Sequence, residues 1–268
     1  MPQGRSEIRA LLDAHGIRPR RSLGQNFLAD PNLIDRIVRT GAIGPSDQVV
    51  EIGAGTGTLT LGLAATAARV VAYEIDRRLV PILQEVLADT EVELRNEDVM
   101  DIDLAESLGS GPWTMVANLP YNVGTPLVLD VLRRVPAVER LVVMVQREVA
   151  ERFVAGPGSR AYGVPSIVAA LHAKTRLAFT VPPSVFYPAP DVESAVVTME
   201  RISSSPLAEG AIEIAGTVFR QRRKMLRRSL ASVVDEPIAV LASVGIDETA
   251  RPEDLAPDAF LRLAEVIA

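Results

Sequence analysis

Between residues 48 and 145 the chain alternates short apolar runs with amphipathic stretches, and this alternation restricts the fold more than any other feature of the sequence. The runs are Gln48–Ile52, Arg69–Tyr73, Val92–Leu94, Thr114–Ala117 and Leu141–Val145. Most are rich in β-branched residues, which suit strands. Between two of them, Arg77–Leu87 sets Leu79, Val80, Leu83 and Leu87 at helical spacing. Strands that are apolar along their whole length have no face to give to water. They predict a mostly parallel, Rossmann-like α/β sheet covered by helices on both faces. After residue 145 the pattern changes. Leu177–Val181 and Ala195–Arg201 read as two more strands around a proline-rich loop, an antiparallel pair at one edge. Ser203-Ser204-Ser205-Pro206 reads as a linker, and the chain beyond it reads as helix only. The expected organisation is a catalytic domain over residues 1–201 and a small all-helical domain over residues 202–268.

Several classes of function are excluded early. The longest apolar runs fall far short of the ~20 residues that a membrane span needs, and the N-terminal stretch has no apolar signal core. A cytoplasmic protein without a membrane partner is expected. The absence of cysteine rules out disulfides and thiolate metal sites. His15 and His172 have no Cys or His neighbour at ligand spacing, so no metal is expected.

The formal net charge of −6 argues at first against a nucleic-acid partner. Its distribution argues otherwise. Arg220, Arg222, Arg223, Lys224, Arg227 and Arg228 fall between Val218 and Val234 with no acidic residue among them, and Arg18, Arg20 and Arg21 form a second cluster. From Asp235 onward, eight acidic residues face two basic ones. The basic run is therefore either an RNA-facing surface or a set of solvated and internally paired side chains.

The chemistry sits at the strand ends. Glu51-Ile-Gly53-Ala-Gly55-Thr-Gly57 follows the first strand and opens a helix, where glycines let the backbone approach a ligand closely. A dinucleotide fingerprint would need glycine where Thr58 stands. The G-x-G-x-G spacing behind an acid resembles instead the first motif of class I methyltransferases. Glu74, roughly 20 residues on, can accept ribose hydroxyl hydrogen bonds, and Asp98 at the third strand end can accept adenine amino protons. Asn118-Leu119-Pro120-Tyr121 ends the fourth strand. An exocyclic amine is a poor nucleophile while its lone pair is delocalised into the ring. An amide oxygen and a nearby carbonyl that accept its hydrogens favour a pyramidal nitrogen. Pro120 shapes the backbone and removes a donor, and Tyr121 offers a stacking face to an extruded base.

The motifs occur in a fixed order: Leu23-Gly-Gln-Asn-Phe-Leu28, the glycine turn, Asn118-Leu-Pro-Tyr-Asn122, Phe186-Tyr-Pro-Ala-Pro-Asp-Val-Glu-Ser194 and Phe219-Arg-Gln-Arg-Arg-Lys224. From about Arg21 onward the chain resembles the ribosomal RNA adenine dimethyltransferase family. Its closing stretch, from Gly245-Ile246 to Phe260, is similar to the bacterial small-subunit (16S) branch and less similar to the macrolide-resistance enzymes of 23S RNA. The resemblance implies S-adenosylmethionine as cofactor and S-adenosylhomocysteine as product. It implies a cofactor site of Gln25, Asn26, Leu28, Gly53, Gly55, Glu74, Ile75, Asp98, Val99 and Asn118. Catalysis would fall to Asn118, Leu119, Pro120 and Tyr121, with Tyr121 and Phe186 sandwiching the target base. Arg222, Arg223 and Lys224, with Arg20 and Arg21, would contact RNA. The implied partner is 16S RNA in the small ribosomal subunit or its precursor, and the implied product is dimethylation of N6 on two adenosines of a hairpin loop near the RNA's 3′ end. A monomer is expected. A DNA N6-adenine methyltransferase, a 23S enzyme and an assembly factor that acts chiefly by binding are the rivals.

Overall fold

The computed structural model describes residues 2–121 and 123–267; Asn122 and the side chain of Arg21 lie outside the described residues. The chain forms two compact units. The first runs from the N-terminus to Ala150 and takes in Arg176–Glu200; the second comprises Glu151–Thr175 and everything from Arg201.

The strands are β1 (Phe27–Leu28), β2 (Gln48–Ile52), β3 (Arg69–Tyr73), β4 (Glu93–Arg95), β5 (Trp113–Asn118), β6 (Val138–Gln146), β7 (Ala173–Val181), β8 (Phe186–Tyr187) and β9 (Ser194–Arg201). Seven of them make one sheet in the order β4-β3-β2-β5-β6-β9-β7. The pairs from β4 to β6 are parallel, and β9 runs antiparallel to β6 with Val143 opposite Val197. This is the mixed sheet that the alternating pattern predicts. Apolar residues along β2, β3, β5 and β6 are buried, as strands covered on both faces require. Their C-terminal ends, where β2, β3 and β5 lie side by side, bring the glycine turn, Glu74 and Asn118 to one edge.

The two-residue strands β1 and β8 form a separate ribbon, Leu28 opposite Phe186 and Phe27 opposite Tyr187. It has no periodicity of its own in the sequence. It fastens the proline-rich loop to the segment that precedes the helix Pro31–Thr40. The helix Arg5–Ala14 buries Ile8 and Leu12 in a cluster with Phe27, Ala54, Leu79 and Leu83.

The division of the chain differs from the single cut expected near residue 201. Glu151–Thr175 joins the C-terminal unit because the helix Val164–His172 cannot bury its apolar face alone and packs on Ala208–Phe219 and Pro257–Ile267. Tyr162 donates its hydroxyl to the Leu255 carbonyl at 2.7 Å and sets its ring edge-on to Phe219, which in turn meets Phe260. His172 is buried in this unit with Nδ1 3.0 Å from the Val168 carbonyl, a core residue. In the first unit Trp113 is buried by packing. No helix among the described residues is long and apolar enough to cross a membrane.

Candidate active site

The glycine turn after β2 depends on its glycines. Gly53, Gly55 and Gly57 have φ of +82°, +61° and +81°, a region that disfavours a Cβ. A Cβ on Gly55 would also stand 3.0 Å from the Phe27 ring. A second close approach occurs at Gly24, where a Cβ would come within 2.9 Å of Pro120. The segment Leu23–Leu28 thus lies directly against the Asn118–Tyr121 turn. Glycine turn, Leu23–Leu28 segment and Asn118–Tyr121 turn enclose a cleft of about 730 Å³, including its open mouth.

Glu74 is the hinge of this arrangement. One carboxylate oxygen accepts the Gly55 N–H at 2.8 Å, the other the Asp76 N–H at 2.8 Å, and the residue is 6% exposed. Burial pushes its carboxyl above the ordinary range, partly offset by those backbone hydrogen bonds. Ile75, 48% exposed, gives the rim an apolar surface. Asp76 accepts the Gln25 amide at 2.8 Å and a two-pronged contact from Arg78 at 3.0 and 2.5 Å. Burial opposes its ionisation, but Arg78 and Gln25 outweigh that and hold its carboxyl below the usual value. Gln25 in turn accepts the Arg20 N–H. Its side chain therefore fixes the segment that it belongs to.

Asn118 is half-buried at the end of β5 and donates Nδ2 to the Asn26 carbonyl at 3.0 Å, which sets the plane of its amide. The Pro120 carbonyl accepts from Val123 and Gly124. The Pro120 carbonyl is therefore engaged within the turn. The Tyr121 hydroxyl lies 3.0 Å from the Ser194 hydroxyl, a bond between the motif and the start of β9. Burial raises the Tyr121 phenol, so it stays neutral.

Gln25, Asn26, Leu28, Gly53, Gly55, Glu74, Ile75, Asn118, Leu119, Pro120, Tyr121 and Phe186 all line the cleft. Asp98 and Val99 stand outside that lining, in the turn after β4, where Asp98 accepts the Met100 N–H. Phe186 departs from its expected role. Its ring is 1% exposed and packs with Leu28, Val181 and Val196, so it anchors the proline-rich loop and offers no open stacking face. The Arg5 guanidinium secures that loop through the Ser184 and Phe186 carbonyls at 2.6 and 2.8 Å.

Glu51 is a site residue that motif spacing flags only as an acid before the glycines. It is 1% exposed, lines the cleft, and its Oε2 has no hydrogen-bond partner among the described residues. Burial pushes its carboxyl up to about 8, with Thr60 offsetting part of the rise and Glu74 adding to it. No Lys, Arg or His among the described residues lines the cleft, and its two titratable carboxyl groups, Glu51 and Glu74, are both raised by burial. A buried acceptor without a partner is costly. A ligand with a cationic end satisfies it, and the sulfonium and ammonium of S-adenosylmethionine fit that demand. No group of three or more metal-binding side chains occurs among the described residues.

In the second unit the basic run separates into two kinds of residue. Arg222 points inward. Its Nε donates to Glu253 at 2.6 Å, and its two terminal nitrogens donate to the Arg160 and Ser159 carbonyls, each at 3.0 Å. Arg227 pairs with Glu248. Arg223 and Lys224 are exposed and have no ion-pair partner among the described residues. The expectation that Arg222 reaches RNA meets a competing commitment, because Glu253 and two loop carbonyls take three of its five N–H groups. Arg20, in the first unit, is exposed.

Comparison with known proteins agrees with this geometry. The sequence model of the ribosomal RNA adenine dimethylase family matches residues 16–268. The ribosomal RNA small subunit methyltransferase A of Kineococcus radiotolerans is 43% identical, with 96% of this chain and 89% of that protein aligned. Among solved structures, a dimethyladenosine transferase from Plasmodium falciparum superposes with a TM-score of 0.78 at 24% identity, over 88% of this chain and 95% of that one. The 23S rRNA methyltransferase ErmE gives a TM-score of 0.71 at 26% identity, over 90% of this chain and 98% of that one.

Proposed function

The chain belongs to the ribosomal RNA adenine dimethylase family, and from that premise we propose that it dimethylates N6 of two adjacent adenosines in a hairpin loop near the 3′ end of 16S RNA, using S-adenosylmethionine. It is an adenine methyltransferase of the small-subunit kind, the branch named for its 43%-identical relative; identity to the 23S enzyme is only 26%. The cytoplasm, where small subunits are assembled, is its place of action.

The observation that carries the chemistry is Asn118, its amide plane fixed by the Asn26 carbonyl at the mouth of an acidic cleft. When bound, S-adenosylmethionine supplies an electrophilic methyl on a sulfonium centre. Glu74 would accept from the ribose hydroxyls and Ile75 would pack against the cofactor base, while Asp98, beyond the cleft lining, would accept the base's amino protons. Gly53, Gly55, Asn26 and Leu28 give close backbone approach, while Glu51 meets the cationic end. The target adenine leaves its stack and lies on Tyr121, whose ring Ser194 orients. Asn118 Oδ1 and the Leu119 carbonyl accept the N6 hydrogens and aim the lone pair. N6 would take the methyl from the bound sulfonium, which would keep the S–C electron pair, and the methylated nitrogen would then lose a proton to water. One hydrogen remains, so rotation presents the lone pair again for the second transfer.

The test is mass spectrometry of small-subunit RNA from strains with and without the gene. Two dimethyladenosines lost from one hairpin, and restored by the gene but not by an Asn118→Ala copy, are expected. Intact small-subunit adenosines with a mark lost from 23S RNA would overturn the assignment.

A further inference from the structure

The run Arg222-Arg223-Lys224 resembles an RNA-facing motif, yet its first member is committed internally. What Arg222 holds is a loop. Its guanidinium grips the Ser159 and Arg160 carbonyls, and the Glu253 that it pairs with also accepts the Gly158 N–H through its own carbonyl, at 2.8 Å. Within the loop the Ser159 hydroxyl donates to the Gly156 carbonyl at 2.8 Å, and Tyr162 is pinned at its far end to the Leu255 carbonyl. The segment from Gly156 to Tyr162 has no regular secondary structure, but it is fastened from both sides. At its crest Arg160 is exposed, and its side chain has no hydrogen-bond or ion-pair partner among the described residues. Because Arg222 touches the Arg160 carbonyl, Arg160 stands within one arginine side chain of the backbone that carries Arg223 and Lys224. Among the described residues these three cations have no carboxylate bound to them, whereas Glu253 is already paired with Arg222.

We propose that the Gly156–Tyr162 loop is an edge of the RNA-binding surface, with Arg160 as its phosphate contact and Arg222 acting only through the loop it holds. The proposal rests on RNA being the substrate of this chain. A planar guanidinium on a pre-fastened loop suits bidentate phosphate contact and loses little freedom on binding. Arg222, with three of its five N–H groups committed inside the unit, has less to offer a phosphate than the exposed Arg160. The loop lies about 60 residues upstream of the basic run, and only the tertiary structure brings the two together.

The experiment measures affinity of the full-length protein for unmethylated small ribosomal subunits as a function of salt. Arg160→Gln should weaken binding by several fold and flatten the slope of log affinity against log salt by up to about one unit. Arg160→Lys should restore part of both. Arg222→Gln should weaken binding in the wild-type background, yet add nothing in the Arg160→Gln background, since coupled residues are not additive. An Arg160→Gln slope equal to wild type, with Arg223→Gln and Lys224→Gln still flattening theirs, would sink this inference and leave the RNA reading standing. Slopes unchanged in all three would remove RNA recognition from this unit altogether. Additive losses for Arg222 and Arg160 would restore Arg222 as a contact in its own right. Should Arg222→Gln fail to fold, the Arg160 slopes still decide.

Discussion

Asn118 donates its side-chain amide to the Asn26 carbonyl across 3.0 Å, 92 positions apart in the chain. One hydrogen bond thus ties the Asn118–Tyr121 turn to the Leu23–Leu28 segment, and it leaves the amide oxygen to accept from the amine that we propose reacts there. Asn118→Ala should lower the single-turnover rate by roughly 10²-fold or more, since misplacing a reacting group costs that much, with a smaller change in RNA affinity. Single-turnover rates equal to wild type at saturating RNA and cofactor would remove Asn118 from the chemistry.

Glu74 ties the glycine turn to the end of its own strand through the Gly55 and Asp76 amides. Glu74→Ala should cost ~1–3 kcal/mol of cofactor binding, or roughly 10- to 100-fold in affinity. Calorimetric titration with S-adenosylmethionine checks it, and wild-type affinity in a folded mutant would refute the ribose assignment.

Glu51 gives the site a pH dependence of definite sign. Its carboxyl is raised from 4.5 to about 8, so between those values the folded protein holds a proton that the unfolded chain has released. Folding stability from this group therefore falls as pH rises toward about 8 and is flat beyond. In the protein without cofactor, Glu51→Gln should gain thermal stability relative to wild type as pH rises from about 5 to about 8.5. Cofactor affinity has the opposite trend. A cationic end favours the ionised carboxyl, so wild-type binding should tighten with pH until about 8, by at most about tenfold per unit more than Glu51→Gln binding does. Glu74, also raised, remains in both proteins, and its charge adds to the Glu51 rise. Parallel pH profiles for wild type and mutant would show that Glu51 does not titrate with binding.

Asp76 does not line the cleft, yet it holds Gln25 and Arg78 together. Asp76→Ala should loosen the Leu23–Leu28 segment, raising hydrogen exchange at Gln25 and Asn26 and weakening cofactor binding several-fold. Unchanged exchange in that segment would mean that Gly24 against Pro120 suffices to seat it.

Periodicity alone determined the sheet and its strand ends, because whether a strand is covered on both faces is written in its own residues. The glycine turn was legible for a similar reason. Positive φ restricts residue choice locally, and the carboxylate and amide at successive strand ends follow from the parallel topology. The fate of particular side chains was decided only by tertiary structure. Phe186 became a buried anchor through pairing with Leu28, Arg222 an internal strap through Glu253, and Glu51 an acid with a raised pKa because the sheet and the helix behind it exclude water. The segment Glu151–Thr175 likewise joined the second unit through helices distant in sequence. Burial and charge pairing depend on which residues meet across many positions of chain, and local pattern carries no record of those meetings.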